Sequence, residues 1–202
     1  MAKISHHPEK SLLANRTGNP AFVVPQNELE RHALKRAAAA GKCERADRGL
    51  YLVNPALFSS SHELAAIAVR KPNAIICLES AAIFHGLTSA PPLKNQFGIS
   101  RSSRPPRWNW PAIQTVILDL DTKIGGIDQH VIEGIPVLIT NPARTVAECL
   151  KHNRIVTPSS LQEILWSAWR KKKAPVDDMI TSARHFGVED KMSLMLQTVM
   201  GP

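Results

Sequence analysis

The hydrophobic pattern near the N-terminus changes from helical spacing to short apolar runs. From Glu28 to Ala40, apolar residues recur every three or four positions, which predicts an amphipathic helix with one face in a core. Asn27 followed by Glu30 resembles a capping box and predicts the start of this helix. Gly41 supplies its C-terminal stop.

A β-hairpin is predicted directly after this helix. Residues 43–46 and 50–53 are runs of strand length, and Asp47 to Gly49 between them is a turn that contains glycine. A helix followed by a tight hairpin is typical of the closing half of a winged helix-turn-helix. The earlier helical pattern lies from about Pro8 to Arg16, so the first two helices of such a domain are short or one is missing. We expect a DNA-binding head over residues 1–56.

The middle of the chain mixes strand and helix patterns. Ser60 with Glu63 is expected to cap a helix, and Gly86 closes another. Glu133-Gly134 lies between two apolar runs and predicts a second hairpin. The predicted helices are 60–69 and 79–85, and the predicted strands are 74–78, 97–99, 116–118, 129–132 and 135–140.

From Asn141 onward the pattern is helical. Asn141-Pro142 and Thr157-Pro158 each place a capping side chain before a proline at the first helical position. Further helices are predicted over 175–186 and 188–200. Because the middle alone has few buried-strand residues, we expect it to share a core with the tail. The predicted fold class is α/β of the α+β kind, with the winged head followed by one mixed domain over 57–202 whose C-terminal part is helical.

Composition and net charge indicate which class of partner the protein binds, but they do not indicate its fold. Of the 202 residues, 44% are hydrophobic and 21% are charged, which is ordinary for a globular protein. The net charge of +8 favours a polyanionic partner, nucleic acid before membrane. No apolar run approaches the roughly 18 residues of a membrane span. The first twenty residues lack the apolar core of a signal peptide, so we expect a cytoplasmic protein without a membrane partner.

The head carries a cluster of basic side chains on the predicted helix and hairpin. Positions 31 and 35 share one face of the helix, as do positions 32 and 36. A recognition helix lays such side chains in the major groove, and a wing contacts adjacent phosphates or the minor groove. The alternative is a solvated basic surface that needs no partner. The candidates for contact with double-stranded DNA are Arg31, His32, Lys35, Arg36, Lys42, Arg45 and Arg48.

Four blocks of the sequence, taken together and in order, resemble a known family. They are Arg45 to Tyr51, Ile76 to Thr88, Glu133 to Val137 and Asn141 to Cys149, and the similarity covers about residues 28–195. This pattern resembles the AbiEi-type antitoxins of bacterial type IV toxin–antitoxin pairs, which act in abortive infection, a form of phage defence.

The resemblance implies two activities. The winged helix-turn-helix would bind operator DNA in the promoter of its own operon and repress transcription. The C-terminal domain would counter a nucleotidyltransferase-like toxin encoded beside it, without requiring a stable complex with that toxin. The alternative is a plain winged-helix transcriptional regulator whose C-terminal domain senses a ligand or partner. A nucleotidyltransferase gene in the adjacent reading frame would favour the antitoxin.

Three further segments are candidates for a second surface that contacts nucleic acid or the toxin. The loop over 101–110 combines three Arg and two Trp, which suits stacking on RNA or, alternatively, capping of a sheet edge. The cations at 170–173 end a predicted helix, where a solvated terminus is the alternative. Arg144 lies in a first helical turn, where the dipole disfavours a cation, so it needs a carboxylate partner or serves function. The candidates are Arg101, Arg104, Arg107, Trp108, Arg144, Arg170, Lys171, Lys172 and Lys173.

Enzymatic motifs are weak along the chain. Helical spacing does not bring Ser80 and His85 onto one face, so we expect His85 to be a partly buried residue near a helix C-terminus. Asp119 and Asp121 lack the partner lysine context of a nuclease site. The three cysteines are far apart, and neither zinc spacing nor a phosphate-binding loop occurs. We therefore expect no enzyme, no metal and no cofactor.

Overall fold

The structure is a computed structural model that describes residues 19–118 and 125–200. The helix predicted from Pro8 to Arg16, and the carboxylates Asp119 and Asp121, lie outside these residues. The described residues divide into two units, which we call the small unit and the large unit. The small unit contains residues 19–72, 107–111 and 131–137, and the large unit contains 73–106, 112–118, 125–130 and 138–200.

The small unit is built around a three-stranded antiparallel sheet. Its strand order is β1-β3-β2, so β3 is the central strand. The predicted helix and hairpin are both confirmed. The elements in chain order are β1 (Phe22–Val23), α1 (Glu28–Ala39), β2 (Glu44–Asp47), β3 (Leu50–Leu52), a 3-10 turn (Pro55–Leu57) and α2 (His62–Arg70).

Local signals explain the position of α1. The Asn27 side chain accepts a hydrogen bond of 2.9 Å from the Glu30 backbone N–H, as the predicted cap requires. The Glu30 carboxylate accepts in turn from the Gln26 backbone N–H at 2.9 Å, one residue before the usual position in a capping box. Leu34 packs with Val23 and the Tyr51 ring in the small core. Tyr51 is therefore a core residue of the small unit.

The helix α2 corrects one detail of the sequence prediction. The predicted cap at Ser60 is wrong, because the helix begins at His62 with Ser61 in the cap position and no side-chain cap. The hydroxyl of Ser59 instead accepts from the Ser61 backbone N–H at 3.2 Å and donates to the Glu133 carboxylate at 2.8 Å. A contact distant in sequence has replaced the local cap.

The large unit contains most of a mixed five-stranded sheet. The strand order is β6-β5-β4-β8-β7, in which β4 pairs antiparallel with β5 and parallel with β8, and β5 pairs parallel with β6. The strands are β4 (Ile75–Ile76), β5 (Asn95–Ile99), β6 (Ile113–Ile117), β7 (Ile127–Ile132) and β8 (Ile135–Thr140). The predicted turn between β7 and β8 is confirmed, since Glu133 and Gly134 have φ of 53° and 75°.

Five helices complete the large unit. They are α3 (Leu78–Phe84), α4 (Pro142–Lys151), α5 (Pro158–Arg170), α6 (Val176–His185) and α7 (Glu189–Met200). The caps at Asn141 and Thr157 are confirmed, because each side chain accepts from a backbone N–H three residues later. The helix α4 is central, and every residue over 143–150 is buried. The strand predicted over 74–78 is shorter than expected, because α3 starts at Leu78.

These elements define the fold class. The described residues contain seven helices and two sheets, which is a mixed α+β arrangement. The predicted division into a head over 1–56 and a domain over 57–202 stays a prediction. Within the residues that the structure describes, no helix has the length and apolar character that crossing a membrane requires.

Candidate nucleic-acid interface

A basic cleft lies on the small unit between α1 and the β2–β3 hairpin. Its volume is about 420 Å³. Four of the seven residues predicted to contact DNA line this cleft, and all four are exposed. The lining residues are Arg31, Lys35, Arg45, Arg48, Gly49 and Tyr51.

Two different elements supply the cations of this cleft. Arg31 and Lys35 are one helical turn apart on α1, as their spacing predicted. Arg45 lies on β2, and Arg48 lies in the turn that joins β2 to β3. The Arg31 guanidinium forms an exposed ion pair with the Glu28 carboxylate. Among the lining residues every ionised side chain is positive, so the cleft attracts anions.

The other three candidates for DNA contact lie outside the cleft lining. His32, Arg36 and Lys42 are exposed on α1 or just after it. The His32 ring nitrogen Nε2 lies 4.0 Å from the Glu28 carboxylate. Contact of these three residues with DNA stays a prediction.

The hairpin turn is held by Arg70 at the end of α2, a contact that sequence reasoning missed. The Arg70 guanidinium donates to the Asp47 carboxylate at 2.9 Å, to the Trp110 carbonyl at 2.8 Å and to the Arg48 carbonyl at 3.2 Å. Burial tends to raise the pKa of Asp47, but hydrogen bonds from the Arg48 backbone, Arg70 and the Trp110 backbone together lower it below its usual range. Asp47 is therefore ionised at neutral pH.

The predicted loop over 101–110 is divided between the units. Arg101 and Arg104 belong to the large unit, whereas Arg107 and Trp108 belong to the small unit, and the three arginines are exposed. The Arg70 guanidinium lies 4.3 Å from the centre of the Trp108 ring. The Trp108 ring is therefore engaged within the small unit, which favours a structural role over stacking on RNA.

The segment that follows this loop completes the core around α2. The Trp110 ring centre lies 5.8 Å from that of Phe22 and 5.9 Å from that of His62. The buried His62 Nδ1 lies 2.8 Å from the Glu133 carboxylate. The same carboxylate accepts from the Ser59 backbone N–H at 2.7 Å. These contacts join stretches that are distant in sequence, and no local motif predicted them.

Arg144 has the carboxylate partner that its position in α4 led us to expect. Its Nε donates to the Glu148 carboxylate at 2.8 Å, and the two side chains are 1% and 0% exposed. Its Nη1 donates to the Gly125 carbonyl at 2.8 Å. Because the guanidinium is buried, it does not lie on an exposed surface of the large unit. The predicted carboxylate partner of Arg144 is confirmed. The burial of Arg144 argues against its predicted place in a second surface that contacts nucleic acid or the toxin.

Burial shifts the ionisation of several groups around Arg144. Desolvation raises the pKa of Glu148 to about 7, although the adjacent Arg144 acts in the opposite direction. The second carboxylate oxygen of Glu148, Oε2, is buried without a hydrogen-bond partner in the described part of the chain. Burial also raises the pKa of the Cys77 and Cys149 thiols well above the usual value, so neither thiol is a ready nucleophile.

The cations at the end of α5 are exposed, as expected for a helix terminus. Lys171 donates from Nζ to the Gly86 carbonyl at 2.7 Å. Arg170 and Lys172 border a cleft of about 470 Å³ beside Trp169. Both alternatives for Arg170 to Lys173, a solvated terminus and a contact surface, stay open.

His85 occupies the place that we expected. It caps the C-terminus of α3, is partly buried, and donates from Nε2 to the Thr140 carbonyl at 2.7 Å. Burial lowers the pKa of His85, which favours its neutral form. The Ser80 hydroxyl accepts from the Gln96 backbone N–H at 2.8 Å. Across the described ranges, no three His, Cys, Asp or Glu side chains converge as a metal site would require.

Comparison with known proteins extends the description of the fold. The chain matches no protein-family model, and its sequence matches no curated protein. Its fold is similar to the crystal structure of the RV2827C protein from Mycobacterium tuberculosis, with a TM-score of 0.59. The similarity covers 97% of this chain and 81% of that chain at 11% sequence identity. At this identity the likeness concerns the fold alone.

Proposed function

We propose that the protein is a DNA-binding antitoxin of the type IV kind, which represses its own operon and counters a nucleotidyltransferase-like toxin. The small unit would act as a winged helix-turn-helix, with α1 as the recognition helix and the β2–β3 hairpin as the wing. The large unit would carry the antitoxin activity. The protein would need no enzymatic step for either role.

The basic cleft is the observation that carries the DNA-binding part of this proposal. Phosphate contacts from Lys and Arg supply most of the affinity of a protein for DNA. The cleft brings two cations of the helix and two of the hairpin to one concave surface, which is the arrangement that a recognition helix with an adjacent wing requires. The central strand β3 pairs with both β1 and β2, so the hairpin is anchored to the unit rather than projecting alone.

The antitoxin part rests on the resemblance to AbiEi-type proteins. The four similar blocks fall on ordered elements of the fold: the β2–β3 hairpin, the segment from β4 through α3, the β7–β8 turn with the start of β8, and α4. The block on α4 contains the buried Arg144–Glu148 pair. Similarity at such positions is expected when two chains share a fold.

Growth rescue by the full chain tests the antitoxin role. The protein is co-expressed, from an unrelated promoter, with the product of its neighbouring reading frame. We expect the wild type to restore growth. The double variant Lys35→Ala/Arg45→Ala should restore it equally, because it alters only the basic cleft.

A reporter fused to the promoter of the operon tests repression in parallel. Lys35→Ala/Arg45→Ala should lose repression, whereas the charge-matched control Arg154→Ala/Lys191→Ala, at exposed positions of the large unit, should repress like the wild type. Repression without growth rescue would contradict the antitoxin role and favour a plain winged-helix regulator. Failure of both assays would overturn the whole proposal.

A further inference from the structure

Arg70 lies outside the basic cleft but contacts the turn that carries one of the cleft's cations. Its side chain is 10% exposed, and that of its partner Asp47 is 6% exposed. Through Nη1 it reaches the Asp47 carboxylate and the Trp110 carbonyl, and through Nη2 it reaches the Arg48 carbonyl. Asp47 is the last residue of β2, and Arg48 is the first residue of the turn that follows it. Arg70 therefore bonds to the side chain that precedes the turn and to the backbone of the turn itself.

Asp47 receives a second group of donors from the segment 107–111. The backbone N–H groups of Asn109 and Trp110 donate to its carboxylate at 3.3 Å and 3.4 Å. The ion pair with Arg70 is thus embedded in a hydrogen-bond network rather than isolated. Charge-assisted hydrogen bonds with little exposure are stronger than neutral ones and fix geometry. The turn is held from two directions, by α2 and by this segment.

The shape of the guanidinium suits this task. The central carbon of the Arg70 guanidinium lies over the Trp108 ring, and its N–H groups donate to three different acceptors. A lysine ammonium at position 70 carries the same charge, but its three donors rotate on a flexible stem and it has neither the planar face nor the rigid fork of a guanidinium. Substitution by lysine therefore separates the geometry of Arg70 from its charge.

We propose that Arg70 is a positioning residue for the DNA contact, which fixes the β2–β3 turn so that Arg45 and Arg48 are presented to the phosphate backbone. This inference rests on the proposed DNA-binding function. Without these bonds the turn would leave this position, and Arg45 and Arg48 would no longer meet phosphates in the complex, so both contacts would be lost. Arg70 and Asp47 hold the turn in the position that the two contacts require.

The test uses the full chain and the substitution Arg70→Lys, with Arg154→Lys as the matched control at an exposed site. Binding to the operon's promoter DNA is measured at several salt concentrations. We expect Arg70→Lys to lose affinity by about tenfold. The slope of log affinity against log salt should become shallower by about 2 units, because two phosphate contacts are lost. Arg154→Lys should match the wild type.

Amide hydrogen exchange at residues 48–50 gives a readout that does not depend on DNA. Arg70→Lys should speed exchange there, while amides of α4 keep their protection. Asp47→Asn is the second variant, since it removes the ion pair but retains the shape of the side chain. It should speed the same exchange and lower DNA affinity in the same direction.

The two proposals fail in different ways. If the wild-type chain does not bind the promoter at all, the DNA-binding function and this inference both fall. If the wild type binds, but Arg70→Lys and Asp47→Asn leave the turn protected and the salt slope unchanged, only the positioning role is overturned. Loss of protection throughout the small unit, with an unchanged slope, would show that Arg70 only stabilises the fold and would also overturn the positioning role.

Discussion

At the scale of single residues, the buried ion pair between Arg144 and Glu148 affects the stability of the large unit. Removal of one partner from a buried ion pair leaves a charge without compensation, whereas replacement of both by apolar residues is often neutral. Arg144 also donates to the Gly125 carbonyl, so its loss frees a backbone acceptor. Loss of one member of the pair is therefore expected to lower the free energy of unfolding more than replacement of both members by apolar residues.

The variant Arg144→Met should lower the stability of the protein by about 3 kcal/mol, or roughly 6–12 °C in Tm. The double variant Arg144→Met/Glu148→Leu should recover a large part of that loss. Arg184→Met is the matched control, because Arg184 pairs with Glu189 at the surface, where solvent screens the charges and an ion pair contributes little to stability. Thermal unfolding measures all three. Equal effects of Arg144→Met and Arg184→Met would contradict this account.

The raised pKa of Glu148 predicts a pH dependence of stability. A carboxyl group whose pKa rises on folding binds its proton more tightly in the folded chain than in the unfolded one. Its stabilising contribution is complete below the usual Glu pKa of about 4.3 and is lost as the pH rises through about 7. Between about pH 5 and about pH 8, the Tm of the wild type should therefore fall relative to that of Glu148→Gln.

The difference between these two proteins isolates the contribution of Glu148, because every other ionisable residue is the same in both. At acidic pH the folded Glu148 is a neutral acid, as the Gln amide is, so the two proteins should have similar Tm values there. The wild type should become less stable than Glu148→Gln as the pH rises, because only the wild type then carries a buried carboxylate. Parallel curves across this range would show that Glu148 does not change its ionisation on folding.

At the scale of elements, the packing of β5 depends on a residue without a side chain. A Cβ built at Gly98 would lie 2.3 Å from Leu118 Cδ1 and 3.1 Å from Leu118 Cβ. Leu118 is buried and belongs to the core of the large unit. The Leu118 backbone N–H also donates to the Ile99 carbonyl at 3.2 Å, which keeps the two segments close. Gly98 thus allows β5 and the end of β6 to approach.

The substitution Gly98→Ala should cost about 1–3 kcal/mol, because it forces Leu118 out of its position in a filled core. In a Leu118→Ala background the same substitution should cost much less, since the two closest atoms, Leu118 Cδ1 and Cγ, are gone. Chemical denaturation of the two single variants and the double variant measures this coupling. An equal cost of Gly98→Ala in both backgrounds would contradict the proposed contact.

The sequence predicted elements wherever the signal was local. Asn27 before α1 and Asn141-Pro142 before α4 are caps whose partners lie three residues away, and both were found as expected. The cleft cations could also be anticipated, because α1 and the hairpin are consecutive in the chain. Ser60 was wrong as a cap because Ser59 contacts Glu133, and no local pattern encodes a partner 74 residues away.

At the scale of the whole molecule, the small unit is discontinuous in sequence. Its continuous part, residues 19–72, is completed by 107–111 and 131–137. Glu133 accepts from Ser59, and Trp110 packs against Phe22, so both inserted segments contribute to its core. Sequence reasoning did not assign these two segments to the small unit, because hydrophobic periodicity reports only neighbours along the chain. Experiments on DNA binding should therefore use the full chain.

The salt dependence of promoter binding tests the central claim most directly. Each phosphate neutralised on duplex DNA contributes about −0.9 to the slope of log affinity against log salt. If the four cleft cations contact phosphates, the wild type should show a slope of roughly −3.5, and Lys35→Ala/Arg45→Ala roughly −2. A flat response of the wild type, or equal slopes for the two proteins, would show that the cleft is only a solvated basic surface.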